Sequence, residues 1–257
     1  MQDKLDFNGK IVIVTGGGKG VGKGITERFL QCGAKVIICG RNKPEILPSA
    51  NGENAVFFPL DVRDVDAIQL FVDTVVSDFG GIDVLINNAG GAPAADAATV
   101  SPRFSESIIR LNLLAPLNFS QSCNKVMQTQ NSGGAIINIA SVSAVRPSPG
   151  TAAYGAAKAG LVSLTSSLAV EWAPKVRSNT IIAGLIRTEQ AHLHYGDEAG
   201  IAAVENTIPL GRMALPEDIG DACVFLASDL AAYISGSTLT VHGGGEKPAF
   251  LNAANAD

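Results

Sequence analysis

The chain reads as a single-domain α/β protein, a doubly wound sheet of seven parallel strands with helices on both faces. Three observations predict it. Short β-branched apolar runs alternate with stretches of helical periodicity from one end to the other, which is the pattern of strand–helix–strand crossovers in a parallel sheet. The first such run ends in a cluster of glycines that opens a helix. Charged residues make up only 17% of the 257 positions and there are 28 glycines, which suits small-residue helices pressed on a sheet buried on both sides. A chain of this length commonly forms one α/β domain with an ample core, so residues 1–257 are expected as one unit.

In chain order, "KIVIVTGG" (10–17) is the first strand. "VGKGITERFLQCG" (21–33) is a helix with Ile25, Phe29 and Leu30 on one face and Gly33 as its stop. Strands two and three are 34–40 and 55–62, and a helix over 64–80 leads to strand four at 82–90. One long helix is predicted over 101–128, strand five over 134–143, and a second long helix over 151–174. Strand six (176–184), a helix over 216–235 and strand seven (237–243) complete the series. Residues 185–210 show no clear period and are expected as a lid loop, since long unpatterned connections in compact domains are often binding segments. The tail 246–257 carries no assignment.

Charge and composition narrow the function. A net charge of −5 with no basic run argues against nucleic acid, which needs a cationic face. The apolar stretches are too short and too interrupted for a membrane span, and "MQDKLDFNGK" lacks a leader pattern, so a cytoplasmic location is expected. Cys32, Cys39, Cys123 and Cys223 form neither a C-x-x-C pair nor a metal spacing and are expected as buried thiols in a reducing compartment, with no metal.

The glycine cluster is "TGGGKGVG" (15–22). Where a strand turns sharply into a helix, glycines admit unusual backbone angles and let main chain approach a pyrophosphate at the helix N-terminus. Gly16, Gly18, Lys19, Gly20, Val21 and Gly22 are therefore candidate dinucleotide contacts. An acidic residue at the end of the second strand would hold the ribose 2′-OH of NAD. Here Gly40 stands in that place and Arg41 follows, with Lys19 in the turn itself. Two cations and no carboxylate suit the 2′-phosphate of NADP, so NADP(H) is favoured and NAD(H) is second. Asp61 and Val62, after the third strand, are placed beside the adenine.

"TAAYGAAKAG" (151–160) sets Tyr154 and Lys158 one helical turn apart among small residues. A free phenol, pKa about 10, exchanges protons poorly near neutrality. A cation at ~5 Å in an effective dielectric of ~20 favours the phenolate by about 3 kcal/mol. That is roughly two pKa units. The pair thus makes sense as a tuned acid/base. Ser141 ends the fifth strand thirteen residues before Tyr154, and in a doubly wound fold ligands sit at strand carboxyl ends. Ser143 is the rival, two residues on and on the same strand face.

With "TGGGKGVG", "NNAG" (87–90), a serine thirteen residues before the tyrosine and "YGAAK", the chain resembles the short-chain dehydrogenase/reductase family over nearly its whole length, through "IRT" (186–188) to the final glycines. The resemblance implies a Rossmann-type fold and a general acid/base role for Tyr154. It implies that Lys158 binds the nicotinamide ribose and lowers the tyrosine pKa, and that Ser141 bonds the substrate oxygen. Asn112 would complete a tetrad by holding a relay water on its main-chain carbonyl. Pro116, four residues on, has no N–H to occupy that carbonyl. Asn88, Ala89 and Gly90 would line the cofactor, Thr188 would touch its carboxamide or phosphates, and Gly184 and Ile186 would lie near the nicotinamide.

Two positions depart from the family pattern: Ala183-Gly184 where Pro-Gly is frequent, and "VHGGG" where Val-Asp-Gly-Gly is, with His242 expected to be structural. Val142, Ser143, Val145, Leu185, His192 and Tyr195 are candidate substrate contacts, and the apolar ones suggest an apolar ketone or 3-oxoacyl thioester. The long helices also carry Leu161, Leu164, Leu168 and Val170, and in the family these helices pair across a two-fold axis, so a homodimer or homotetramer is expected. A cofactor-sensing protein without catalysis is the alternative, but such proteins usually lose the tyrosine or lysine, and both are present here.

Overall fold

Strand β1 (Ile11–Thr15) is an interior strand of the sheet, third from one edge, and all five of its residues are buried. Val12 and Val14 enter one core while Ile11 and Ile13 enter the other, as the two-residue period of a strand dictates. A computed structural model describes residues 4–253. Residues 1–3 and 254–257, the extremes of the expected domain and the end of the unassigned tail, lie outside the described residues.

The other sheet strands are β2 (Lys35–Gly40), β3 (Val56–Pro59), β4 (Val84–Asn87), β5 (Gly134–Ser141), β6 (Val176–Ala183) and β7 (Thr238–Val241). All pair in parallel, in the order β3-β2-β1-β4-β5-β6-β7. The order reverses between β1 and β4, so their carboxyl ends open a crevice where loops diverge. Helices α1 (Gly20–Gln31) and α8 (Pro216–Ala227) cover one face; α2 (Val65–Phe79), α4 (Ala115–Thr129) and α5 (Ala152–Glu171) cover the other. Between β2 and β3 a tight hairpin (Ser49–Ala50 with Glu53–Asn54) replaces a crossover helix, turning on Asn51 and Gly52, both at positive φ.

Four expectations need correction. The single helix over 101–128 is broken into α3 (Pro102–Ile109), a wide turn (Arg110–Leu114) and α4. Pro116 cannot donate to the Asn112 carbonyl, and the strain is relieved by a π-type bulge in which the Ala115 N–H reaches five residues back to Arg110. The helix expected to 235 stops at Ala227, because the Ser228 hydroxyl takes the Leu230 N–H and starts a 3-10 turn. Segment 185–210, expected as a lid loop, is not a loop: it holds α6 (His192–Tyr195) and α7 (Glu198–Glu205), packed on a small core of Ala191, Ile201, Ile208 and Met213. In the tail, α9 spans Ala249–Ala253. Of the apolar residues expected to face a second chain, Leu161 and Leu168 are buried inside this one, Leu164 is half-buried and Val170 alone is fully outward. The stripe that buries Leu161 is the inner face of α5. Among the described residues no helix is long and apolar enough to cross a membrane.

Candidate active site

The glycine turn is locked to the end of β4 by interleaved hydrogen bonds. The Thr15 hydroxyl accepts from the backbone N–H groups of Asn88 and Ala89, each at 3.0 Å. Asn88 returns its side-chain amide to the Thr15 carbonyl at 2.9 Å. Asn88 and Ala89 therefore shape the cradle, and what they can offer a ligand is set by this geometry. Gly16 and Gly20 sit at positive φ, where an L side chain is strained. A Cβ on Gly22 would lie 2.2 Å from the Gly16 carbonyl oxygen, so only glycine lets α1 start so close to the turn. Gly18 is covered by Pro44, 3.2 Å from where its Cβ would be, and Val21 packs half-buried against the core. Lys19 precedes α1 without capping it, and the Gly20 N–H is taken by the Glu189 carboxylate at 3.0 Å. Thr188 stands over the same helix start, its methyl 3.7 Å from a Cβ placed on Gly20. A helix N-terminus at the end of the turn, glycines that leave no room for side chains and nearby cations together fit a pyrophosphate-containing cofactor.

Lys19 in the turn after β1 and Arg41 after β2 are exposed, and Gly40 at the end of β2 offers no side chain. Asp61 is gripped by Arg63, with Nε at 2.9 Å and Nη2 at 2.5 Å, and this pairing holds its carboxyl down at about 2 despite some burial. Arg41 lies close enough to contribute to that depression. Val62 turns its side chain into the core, so its expected place beside the adenine is open only to its main chain.

The reactive groups come from α5, β5 and the bulged helix. On α5, Tyr154, Lys158, Leu161, Thr165 and Leu168 follow helical spacing down one face, and that spacing carries Lys158 deep inside at 3% exposure. Its Nζ donates to the Ile139 carbonyl at 2.7 Å and lies 5.7 Å from the centre of the Tyr154 ring. Burial drags the ammonium from 10.5 to about 8. Burial also raises the Tyr154 phenol above its ordinary value, and a hydrogen bond with Ser141 pulls it part of the way back. This differs from the expectation that Lys158 depresses the phenol. The ammonium bonds a main-chain carbonyl and approaches the ring, so dehydration governs both groups.

The two serines are separated by their partners. Ser141 ends β5, reaches Tyr154 and accepts the Ser143 N–H at 3.2 Å. Ser143 instead turns to Ser148, oxygen to oxygen 3.0 Å. Asn112 is fully buried and clamps the loop after β4: its amide donates to the Gly91 carbonyl at 3.0 Å and its oxygen accepts the Gly91 N–H at 2.9 Å. A Cβ on Gly90 would sit 2.6 Å from Asn112 Oδ1 and 3.3 Å from Lys158 Nζ, so Gly90 is where these two residues meet the cradle.

Several expected ligand contacts are placed elsewhere. Gly184 faces His242, whose Cβ would be 2.7 Å from any side chain added there, so the glycine serves packing against the end of β7. Val142 is buried with Ala140 and Ile182, because β5 gives way to a 3-10 turn that rotates it inward. Leu185 and Tyr195 pack on the lid core, and Ile186 on the main one. His192 points to solvent, while Val145 remains exposed beside the site. The sequence reading missed a cleft of about 90 Å³ against Tyr154, lined by Ala92, Pro93, Ala95, Val100, Phe104 and Ile108. Its one signal is the run of small residues after "NNAG", held by the Ala95 N–H on the Gly150 carbonyl at 2.8 Å. The larger depression, about 680 Å³, lies away from this chemistry along the outer edge of β3.

Comparison with known proteins places the chain. Residues 16–246 match the family model described as enoyl-(acyl carrier protein) reductase. The chain is 34% identical to the 3alpha-hydroxysteroid dehydrogenase of Mediterraneibacter gnavus over 243 residues, 91% of this chain and 96% of that one. It is 35% identical to the 3-oxoacyl-(acyl-carrier-protein) reductase of Escherichia coli over 244 residues, 93% and 98% of the two chains. Among solved structures, the ligand-free aldohexose dehydrogenase of Thermoplasma acidophilum superposes with a TM-score of 0.86 at 30% identity, covering 98% of this chain and 97% of that one.

Proposed function

The chain belongs to the short-chain dehydrogenase/reductase family, and on that premise we propose that it moves a hydride between NADP(H) and a carbonyl or secondary-alcohol carbon of a largely apolar small substrate. The observation that carries the reading is the convergence of Tyr154, Ser141, Lys158 and Asn112 at the mouth of the glycine cradle. Nicotinamide, when bound, supplies or accepts the hydride. Tyr154 gives its proton to the substrate oxygen in reduction; burial keeps the phenol protonated at neutral pH, which supports the reductive direction. Ser141 donates to the same oxygen as charge builds there. Lys158, still an ammonium at pH 7, holds positive charge beside the ring and would hold the nicotinamide ribose of a bound cofactor. The Asn112 carbonyl, deprived of its helical donor by Pro116, holds a water that returns a proton to the site.

Lys19 and Arg41, with no carboxylate at Gly40, support NADP(H) over NAD(H). Small and apolar side chains in the cleft beside Tyr154, with exposed Val145, support an apolar substrate. Two of the relatives carry names that point to largely apolar substrates of this kind, the secondary alcohol of a 3alpha-hydroxysteroid and the ketone of a 3-oxoacyl-(acyl-carrier-protein). A cytoplasmic homodimer or homotetramer completes the proposal. The test is a panel of steroid, 3-oxoacyl thioester and sugar ketones offered with NADPH and, separately, NADH. The proposal expects loss of the reduced-nicotinamide absorbance with an apolar ketone and NADPH. Binding of either cofactor without turnover of any substrate would overturn it.

A further inference from the structure

The start of α1 is not bare. Its first N–H, on Gly20, donates to the carboxylate of Glu189 at 3.0 Å, across 169 positions of sequence. Glu189 belongs to the segment that runs from β6 into the lid. Among the described residues it makes no ion pair, although Arg187, two positions before it, does: that guanidinium is committed to Glu198 at 2.6 Å and Glu205 at 3.6 Å, both on α7. The rest of the segment is braced from within the lid side. The Arg187 N–H bonds the Ala214 carbonyl at 2.8 Å, and the Ala191 N–H bonds that of Thr188 at 3.0 Å. The Glu189 side chain is thus the polar link from this segment to the glycine turn, with the Thr188 methyl above it.

An anion at a helix N-terminus is favoured by the unpaired N–H groups and the helix dipole. A cofactor pyrophosphate would be drawn to the same groups for the same reason. One N–H cannot serve both, and two anions at one helix start repel. We infer that Glu189 stands in for a pyrophosphate oxygen in the cofactor-free chain, so that the dinucleotide must displace it, and that this exchange lowers cofactor affinity and releases the lid segment when the cofactor arrives. The inference rests on the family's use of a nicotinamide dinucleotide.

The experiment measures dinucleotide affinity by isothermal titration calorimetry in the wild type, Glu189→Gln and Glu189→Ala, with adenosine as a phosphate-free control ligand and amide hydrogen exchange over residues 187–195 without ligand. Both variants are expected to bind NADP(H) about three- to tenfold more tightly. Adenosine affinity is expected to stay unchanged, and in Glu189→Ala exchange over 187–195 should rise several-fold. Unchanged or weaker NADP(H) binding in both variants, or an equal gain for adenosine, would overturn the inference. Absence of dinucleotide binding in all three proteins would instead overturn the cofactor reading and the inference with it.

Discussion

The two walls of the crevice are held by different forces. On the wall proposed to meet the cofactor, Thr15, Asn88 and Ala89 interlock through hydrogen bonds between backbone and the small side chains of Thr15 and Asn88. Behind them a polar chain runs through the sheet to α5: Asn87 donates to Asn138 at 2.8 Å, Asn138 to Thr165 at 2.9 Å, and Thr180 also donates to Thr165, at 2.8 Å. Every member is buried. Such a network fixes one geometry, because any displacement leaves a buried polar group unpaired. On the substrate wall, the ties are exposed ion pairs, Arg146 to Glu246 at 2.8 Å and Arg187 to Glu198, together with a loop of small residues held by few bonds. Pairs of that kind contribute under about 1 kcal/mol each. On the proposed function the contrast divides the work: the wall proposed to meet the cofactor is rigid, and the wall proposed to select the substrate is loosely tied.

The largest break in this contrast is expected at Gly22. Gly22→Ala puts a methyl 2.2 Å from the Gly16 oxygen, which only movement of main chain can relieve. Overpacking of this kind costs about 3 kcal/mol or more at a site that cannot yield. Chemical denaturation should show that loss, and dinucleotide titration should show binding abolished.

Lys158 sharpens the contrast, since it is a rigid-wall residue that costs stability. Its fall from 10.5 to about 8 corresponds to about 3 kcal/mol of dehydration at neutral pH. Lys158→Met keeps much of the volume and removes that cost but strands the Ile139 carbonyl, at ~1–2 kcal/mol. The variant should be about 1–2 kcal/mol more stable at pH 7 while kcat falls by about 10²- to 10³-fold. The sign with pH follows from proton linkage. Between about 8 and 10.5 the unfolded chain binds more protons at this site than the folded one, so wild-type stability rises through that window. The advantage of Lys158→Met should therefore shrink between pH 7 and pH 10, as denaturation midpoints at the two values will show.

The smallest effect is expected on the loose wall. Arg146→Ala should change stability by under about 1 kcal/mol, leave dinucleotide affinity within twofold and shift the KM for substrate. A loss of several kcal/mol would mean that this wall is as firmly built as the other.

How much of this was legible in the sequence follows the same division. All seven strands and the glycine turn could be read because a buried parallel strand and a positive-φ turn each demand particular residue types. Tyr154, Lys158 and Ser141 were picked out by spacing together with the family resemblance, and the structure brings them together because helical and strand periods fix where they point. Val142, Leu161 and Gly184 were misplaced because their surroundings depend on partners far along the chain: the turn after β5, the depth of α5 and His242. The lid helices escaped notice because they bury only a small core of their own, and the cleft loop because Ala and Pro carry no chemical signature. Glu189 could not have been predicted, its partner being a backbone N–H on another element.

The account depends most on Tyr154 as the group that trades a proton with the substrate oxygen. The direct measurement compares wild type and Tyr154→Phe for turnover of an accepted ketone and for NADPH affinity. The account predicts that kcat falls at least about 10³-fold. Cofactor affinity should stay within about threefold, because the phenyl ring still fills the same place. A variant that keeps most of its turnover would contradict it.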